Sequence, residues 1–128
     1  MRMTNWLAAV GLVFLASTAQ AAPPSFRKDV QPFLMKYCVE CHGDKKPKKG
    51  LNFTSYESLM RGAKKKPVIA GKPQNSLLIL TMESRGKKKM PPKKYKSQPT
   101  PKEIAVVKAW VQAGAKDDSA TGASDPAK

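Results

Sequence analysis

The stretch Cys38-Val39-Glu40-Cys41-His42 decides how the rest of the chain is interpreted. Two cysteines three positions apart, followed at once by a histidine, form the attachment signature of haem c. Residues three apart on a helix lie about one turn from each other, so both thiols can reach the two vinyl groups of one haem. The imidazole of His42 then approaches the iron from the same side. The motif therefore predicts one covalent haem c, bound through Cys38 and Cys41, with His42 as an iron ligand.

Other uses of the cysteine pair fit the sequence less well. A structural zinc site needs four ligands, whereas this motif supplies three and His42 is the only histidine of the chain. A thioredoxin-like redox pair needs a βαβ context, which the hydrophobic pattern lacks. A disulfide between residues three apart would close a very small loop and would stabilise the fold little.

The two ends of the chain differ in composition from the part between them. Arg2 precedes an apolar run over residues 6–16, and Ala19-Gln20-Ala21 has the small-residue pattern of a signal-peptidase site. The run is too short to span a bilayer, which needs about 20 residues. We therefore predict a cleaved signal peptide over 1–21, a periplasmic mature protein without a transmembrane segment, and one domain over 22–116. Residues 117–128 are small, polar and aperiodic, which predicts a disordered tail.

The central part reads as an all-α domain of about four short helices around one haem, joined by long loops rich in lysine and proline. The first helix is expected from about Asp29 to Cys41, because apolar residues recur there at spacings of three and four. A capping box of Thr54 and Glu57 predicts a second helix through about residue 61. A third is expected from 73–76 to about 83. The fourth has the clearest start, with Thr100 as cap, proline next and glutamate at 103.

The net charge of +15 comes from 24 Lys and Arg residues against 9 Asp and Glu residues. The segment 44–96 alone carries +13, from 16 basic and 3 acidic residues. Of the basic residues 20 are lysine and only 4 are arginine, whereas bidentate phosphate and base contacts favour arginine. This composition argues against a nucleic-acid partner and predicts a lysine-rich surface that attracts an acidic redox protein.

The second axial position of the iron must be filled without another histidine. The candidates are a methionine, a lysine or water. The mature chain holds four methionines, Met35, Met60, Met82 and Met90. The first three fall in predicted helices and are expected to pack in the core. Met90 lies in a loop and is followed by two prolines that restrict its backbone, which favours it as a ligand. A second hypothesis is that one of the lysines at 87–89 replaces it on the iron at raised pH.

The motif CVECH, a later KMPP and the terminal stretch EIAVVKAWVQAGA together resemble the class I cytochrome c domain. The resemblance is strongest to the small haem-binding domains of planctomycete and verrucomicrobial secreted proteins, and it also covers RKDVQPFLMKYCVECHG, KKGLNF and GKPQNSLL. It implies covalent haem on Cys38 and Cys41, with His42 as proximal and Met90 as distal ligand. It further implies that the first and last helices cross, with Phe33 or Val30 against Trp110.

The function predicted from these features is that of a soluble, monomeric, exported carrier of single electrons, and not of an enzyme. The alternative is a haem-based ligand sensor or small haem enzyme with an open sixth site. The chain lacks the usual distal groups for that role, because it has no second histidine and no arginine beside Met90. A third hypothesis, a basic module for an anionic polymer or membrane, predicts binding that weakens with salt and ignores the redox state.

Overall fold

Four α-helices preceded by one π-helical turn form most of the regular structure. The computed structural model describes residues 16–17 and 21–119. The turn comprises Phe26–Val30, and the helices are α1 (Gln31–Tyr37), α2 (Tyr56–Arg61), α3 (Leu77–Glu83) and α4 (Pro101–Gln112). Short 3₁₀ turns lie at Lys48–Gly50 and Pro73–Asn75. The part of the chain that the structure describes contains no β-strand, and the predicted all-α class is confirmed.

The first helical region begins earlier and ends earlier than the sequence predicts. Ser25 caps the π-helical turn, because its hydroxyl accepts the N–H of Lys28 at 3.0 Å. Its own N–H donates to the carboxylate of Asp29 at 2.7 Å. The predicted start at Asp29 is therefore wrong by three residues, because a serine cap four residues upstream was overlooked.

At its other end α1 stops at Tyr37, so the predicted helix through Cys41 is also wrong. The N–H groups of Cys38 and Val39 both donate to the carbonyl of Leu34, at 2.9 and 3.0 Å. This shared acceptor ends the regular ladder of helical hydrogen bonds, and the cysteine motif continues as a separate turn.

The caps of the later helices were predicted with mixed success. In α4 the predicted capping box is confirmed: the Thr100 hydroxyl accepts the Glu103 N–H at 3.1 Å, and the Glu103 carboxylate accepts the Thr100 N–H at 2.8 Å. In α2 the predicted box of Thr54 and Glu57 is wrong, because Ser55 and Ser58 form it instead. A serine side chain at the third helical position replaces the usual glutamate here, because its hydroxyl also accepts the N–H of the cap residue.

Three aromatic rings join the π-helical turn, α2 and α4. The rings of Phe26 and Trp110 lie 5.5 Å apart between centroids, and the ring of Tyr56 meets Phe26 edge-on at 5.2 Å. The resemblance implies Phe33 or Val30 against Trp110. The ring that packs there belongs to Phe26, while Phe33 pairs with Tyr37. The expected contact between the first helical region and the last helix is thus present.

Around this trio lies a continuous apolar core. Trp110 is 1% exposed, and its indole N–H donates to the carbonyl of Lys116 at 3.0 Å. The prediction that Met35 packs in the core is wrong, since its side chain is 54% exposed on α1. Met82 is 3% exposed, as expected of a packing residue. The buried apolar residues are Phe26, Val30, Phe33, Leu34, Phe53, Leu59, Val68, Leu78, Ile79, Met82, Val107, Trp110, Val111 and Ala115.

Gly62 ends α2 in a backbone conformation that L-residues rarely adopt, with φ +64° and ψ −150°. A Cβ there would lie 2.8 Å from both the Lys65 carbonyl oxygen and the Pro67 Cδ. We expect Gly62→Ala to lower the free energy of unfolding by about 1–3 kcal/mol, because strain and steric clash add. Gly71→Ala is the matched control, with φ +76° but open space around the Cβ. Equal losses in urea unfolding would show that the clash contributes nothing.

The structure describes only part of the predicted signal peptide and of the predicted tail. Most of the predicted signal peptide and residues 120–128 of the predicted tail lie outside the described residues. Within 117–119, the carboxylate of Asp118 accepts the N–H of Arg27 at 2.9 Å, so the start of the predicted tail contacts the π-helical turn. No helix in the described part of the chain has the length and apolar character needed to cross a membrane.

Candidate haem site

The cysteine motif forms a tight turn directly after α1. The N–H groups of Cys41 and His42 both donate to the carbonyl of Cys38, at 3.2 and 2.9 Å. These bonds span three and four residues, as in a helical turn. Cys38 and Cys41 therefore lie about one helical turn apart, although the motif lies beyond the end of the regular helix.

His42 is held at its ring and at its backbone. Its Nδ1 lies 3.1 Å from the carbonyl oxygen of Lys48. Because a carbonyl can only accept, Nδ1 carries the proton and Nε2 keeps its lone pair. The Phe53 ring packs 5.0 Å from the imidazole, and the Phe53 N–H donates to the His42 carbonyl at 2.8 Å. Burial is the largest influence on this imidazole and lowers its pKa, which favours the neutral form that binds metals.

The opposite wall of the site is built from α3 and the loop that follows it. The N–H of Met90 donates to the carbonyl of Thr81 at 3.0 Å, which attaches the loop to α3. The ammonium group of Lys89 donates to the carbonyl of Met82 at 3.1 Å. Further along, the Gln98 amide donates to two carbonyls of the same loop. These hydrogen bonds fix the loop that carries Met90 and attach it to the end of α3.

Between these walls lies a narrow, mainly apolar cleft that encloses about 50 Å³ and opens to solvent on one side. Its lining brings together all four predicted site residues. The phenol of Tyr95 reaches across the cleft to within 3.7 Å of the Cys41 sulfur, and this contact is the main cause of the raised pKa of Tyr95. The lining residues are Tyr37, Cys38, Glu40, Cys41, His42, Leu78, Met82, Met90, Pro91, Pro92 and Tyr95.

These residues fit a covalent haem by their chemistry. Two free thiols, an imidazole with an available Nε2 and a soft thioether face apolar walls, which is the donor set of a His/Met haem c.

The geometry disfavours the other uses of the cysteine pair. Burial raises the pKa of the Cys38 thiol to about 12, whereas a redox-active or zinc-binding cysteine needs a readily formed thiolate. Among the described residues there is no group of three or more His, Cys, Asp or Glu side chains that could hold a metal ion. The pair is therefore poorly suited to thiol exchange or to a zinc site.

A polar contact joins the cleft to the start of α4. The Tyr37 hydroxyl donates to both carboxylate oxygens of Glu103, at 2.9 and 3.1 Å, and Lys36 lies 3.6 Å from the same carboxylate. The pKa of Glu103 is lowered from its ordinary 4.5, first by the Thr100 N–H and next by the Tyr37 hydroxyl. Residues 66 positions apart are thereby linked.

Stability should depend on pH through this carboxylate. A lowered folded-state pKa means that its contribution is present above the ordinary value of 4.5 and is lost as the pH falls through the folded-state value. We expect Glu103→Gln to flatten the loss of unfolding free energy between about pH 6 and pH 3. Tyr37→Phe, which removes one donor, should flatten it less. Urea unfolding across this range measures both, and an unchanged slope in Glu103→Gln would contradict the assignment.

The sequence missed several residues of the site. Leu78 and Met82 line the cleft from α3, and their spacing of four residues on a predicted helix could have indicated a common face. Tyr95 carried no signal, since it lies among lysines in the sequence, whereas Tyr37 falls on the apolar spacing of the predicted first helix. The carbonyl of Lys48 could not have been identified, because a backbone acceptor has no signature in residue type.

Comparison with known proteins gives one match. The family model described as Planctomycete cytochrome C matches residues 38–94, a segment that starts at the first cysteine and includes the Met90 loop. Neither the curated proteins nor the solved structures include a significant match to this chain. The match supports the cytochrome c domain that the sequence resembles, and with it a covalent haem c on the single cysteine pair.

Proposed function

We propose that this chain, whose residues 38–94 match the planctomycete cytochrome c family, is an exported carrier of single electrons with His42 and Met90 as axial ligands. One observation carries the proposal. His42 and Met90 line the same apolar cleft, and both cysteines lie in it. When bound, the haem supplies an iron that changes oxidation state by one electron.

His42 supports this role through its second nitrogen. The Lys48 carbonyl takes the Nδ1 proton, which fixes the tautomer, orients the ring and makes Nε2 a better donor. Phe53 restricts the ring from one side. An imidazole oriented in this way needs little rearrangement when the iron changes its charge.

Two methionines line the cleft, and Met90 is the better ligand. Met82 is 3% exposed and belongs to the apolar core, whereas Met90 is 40% exposed and its side chain is not committed to packing. The hydrogen bond from Met90 to Thr81 holds its backbone at the rim of the cleft. With His42 and Met90 both bound to the iron, no position would remain for a substrate, which favours electron transfer over catalysis.

The proposal includes a location and a partner. Cytochrome c domains are typically exported, and the predicted signal peptide would direct this chain to the periplasm. The lysines of 44–96 would attract an acidic redox protein and speed a weak, salt-sensitive encounter. We propose that the carrier acts as a monomer.

Optical spectra of the protein, exported by a host able to attach haem c, test the proposal. We expect haem that stays on the denatured polypeptide, sharp low-spin bands on reduction, a weak band at the red end when oxidised, and no response to carbon monoxide. A high-spin spectrum that shifts with carbon monoxide would favour the sensor or enzyme with an open sixth site. Absence of covalent haem would overturn the proposal altogether.

A further inference from the structure

A second concave surface adjoins the haem cleft at Met82, which lines both. We call it the basic groove. It has a volume of about 620 Å³ and lies between the end of α3, the following loop and the start of α4. The residues that line it are Met82, Glu83, Ser84, Arg85, Lys89, Lys93, Pro99, Pro101, Ile104, Ala105 and Lys108.

The basic groove combines an apolar floor with a cationic rim. Two prolines, Ile104 and Ala105 contribute to the floor, and four basic side chains stand against one carboxylate at the rim. That carboxylate, on Glu83, is paired with Lys108 at 2.8 Å. Lys89 is engaged with a backbone carbonyl.

Two cations of the rim remain for a ligand. Within the part of the chain that the structure describes, Arg85 and Lys93 form no ion pair, and both side chains are exposed. A ligand that complements this surface carries carboxylates around an apolar side chain. An exposed nucleic-acid strand fits less well, because none of the lining residues is an aromatic ring on which a base could stack.

The position of Met82 links the basic groove to the redox site. Met82 lines both the groove and the haem cleft and is 3% exposed. The two sites therefore adjoin at this residue, so a protein seated in the groove lies next to the haem cleft. Close placement of this kind suits the transfer of an electron between two proteins.

We propose that the basic groove is the docking site of an acidic redox partner, which inserts an apolar side chain over Ile104 and Ala105 and pairs its carboxylates with Arg85 and Lys93. The inference rests on the proposed carrier function, whose partner it describes. In the docked pair one electron leaves the reduced protein and enters the oxidised partner. No bond forms or breaks, and no proton is required.

The test uses the haem-loaded protein and a synthetic peptide in which one leucine is flanked on each side by three glutamates. Binding is followed by amide chemical shifts at low ionic strength. We expect the largest shifts at residues 84–93 and 104–105. Ala105→Glu should weaken binding about tenfold, because it places a like charge on the floor. Ala109→Glu is the matched control, since this alanine is also exposed on α4 but does not line the groove.

Arg85→Glu with Lys93→Glu should weaken binding at least as much, while Lys64→Glu with Lys65→Glu makes the same change of net charge elsewhere and should weaken it less than about twofold. If both double variants weaken peptide binding equally, the peptide responds to net charge alone, and the basic groove is not the docking site. If the protein self-associates and Ala105→Glu abolishes that self-association, the groove binds a second copy of this chain. That result would also contradict the proposal of an acidic redox partner. The optical spectrum and reversible one-electron reduction of each variant test the carrier function separately.

Discussion

Replacing Met90 by leucine in the haem-loaded protein should abolish the weak red-end band of the oxidised form and lower the midpoint potential by on the order of 100 mV. The reason is chemical. A thioether stabilises reduced iron relative to oxidised iron, and leucine offers no lone pair to replace it. The loop should keep its course, since its contact with α3 is made by the Met90 backbone N–H and the Thr81 carbonyl.

Two other methionines make this prediction specific. Met35→Leu is the matched control, because Met35 is exposed on α1 and does not line the cleft; its spectrum and potential should equal those of the wild type. Met82→Leu distinguishes the competing ligand within the same cleft. If Met82→Leu removes the band and Met90→Leu preserves it, the assignment of Met90 is wrong.

Trp110→Ala should lower the free energy of unfolding by about 3–5 kcal/mol, which is a large share of the stability of a small domain. The side chain is 1% exposed and contacts both other rings of the aromatic trio. Its removal leaves a cavity where the π-helical turn, α2 and α4 meet. Denaturant unfolding of the haem-loaded protein, followed by far-UV circular dichroism, measures the loss.

Trp110→Phe separates packing from hydrogen bonding. It keeps a ring against Phe26 but removes the indole N–H that satisfies the carbonyl of Lys116, so we expect a loss of about 1–2 kcal/mol from the bond and the smaller ring. A loss below about 1 kcal/mol for Trp110→Ala would contradict the central role of the trio. If Trp110→Ala and Trp110→Phe lower the free energy of unfolding equally, Trp110 stabilises the fold mainly through its hydrogen bond to Lys116.

Most of the secondary structure was accessible from the sequence, and the errors concern helix ends. The start of α4 followed from Thr100, Pro101 and Glu103, because caps act within one turn of the backbone. The end of α1 did not, since the apolar spacing continues through Cys41 while the hydrogen-bond ladder stops at Tyr37. Periodicity reports which face is buried and cannot by itself report where a ladder ends.

Some features of the candidate site could be predicted from the sequence, and others could not. The cysteine motif predicted the cofactor, because its chemistry is contained in five consecutive residues. Met90 was favoured by its two following prolines, but the sequence could not show that Met82 also lines the cleft. The exposure of Met35 was mispredicted, because an apolar residue type does not decide which face of a short helix meets the core.

By itself the sequence determined the helical class, the covalent haem c and the strong positive charge, since each follows from residue types or from spacings of a few positions. Only the tertiary structure decided the partner of the His42 ring, the ring that packs on Trp110, and the contact between Tyr37 and Glu103 across 66 positions. It also decided that one methionine, Met82, lines both the haem cleft and the basic groove. These features depend on how distant segments pack, and packing selects among many side chains of similar polarity and size.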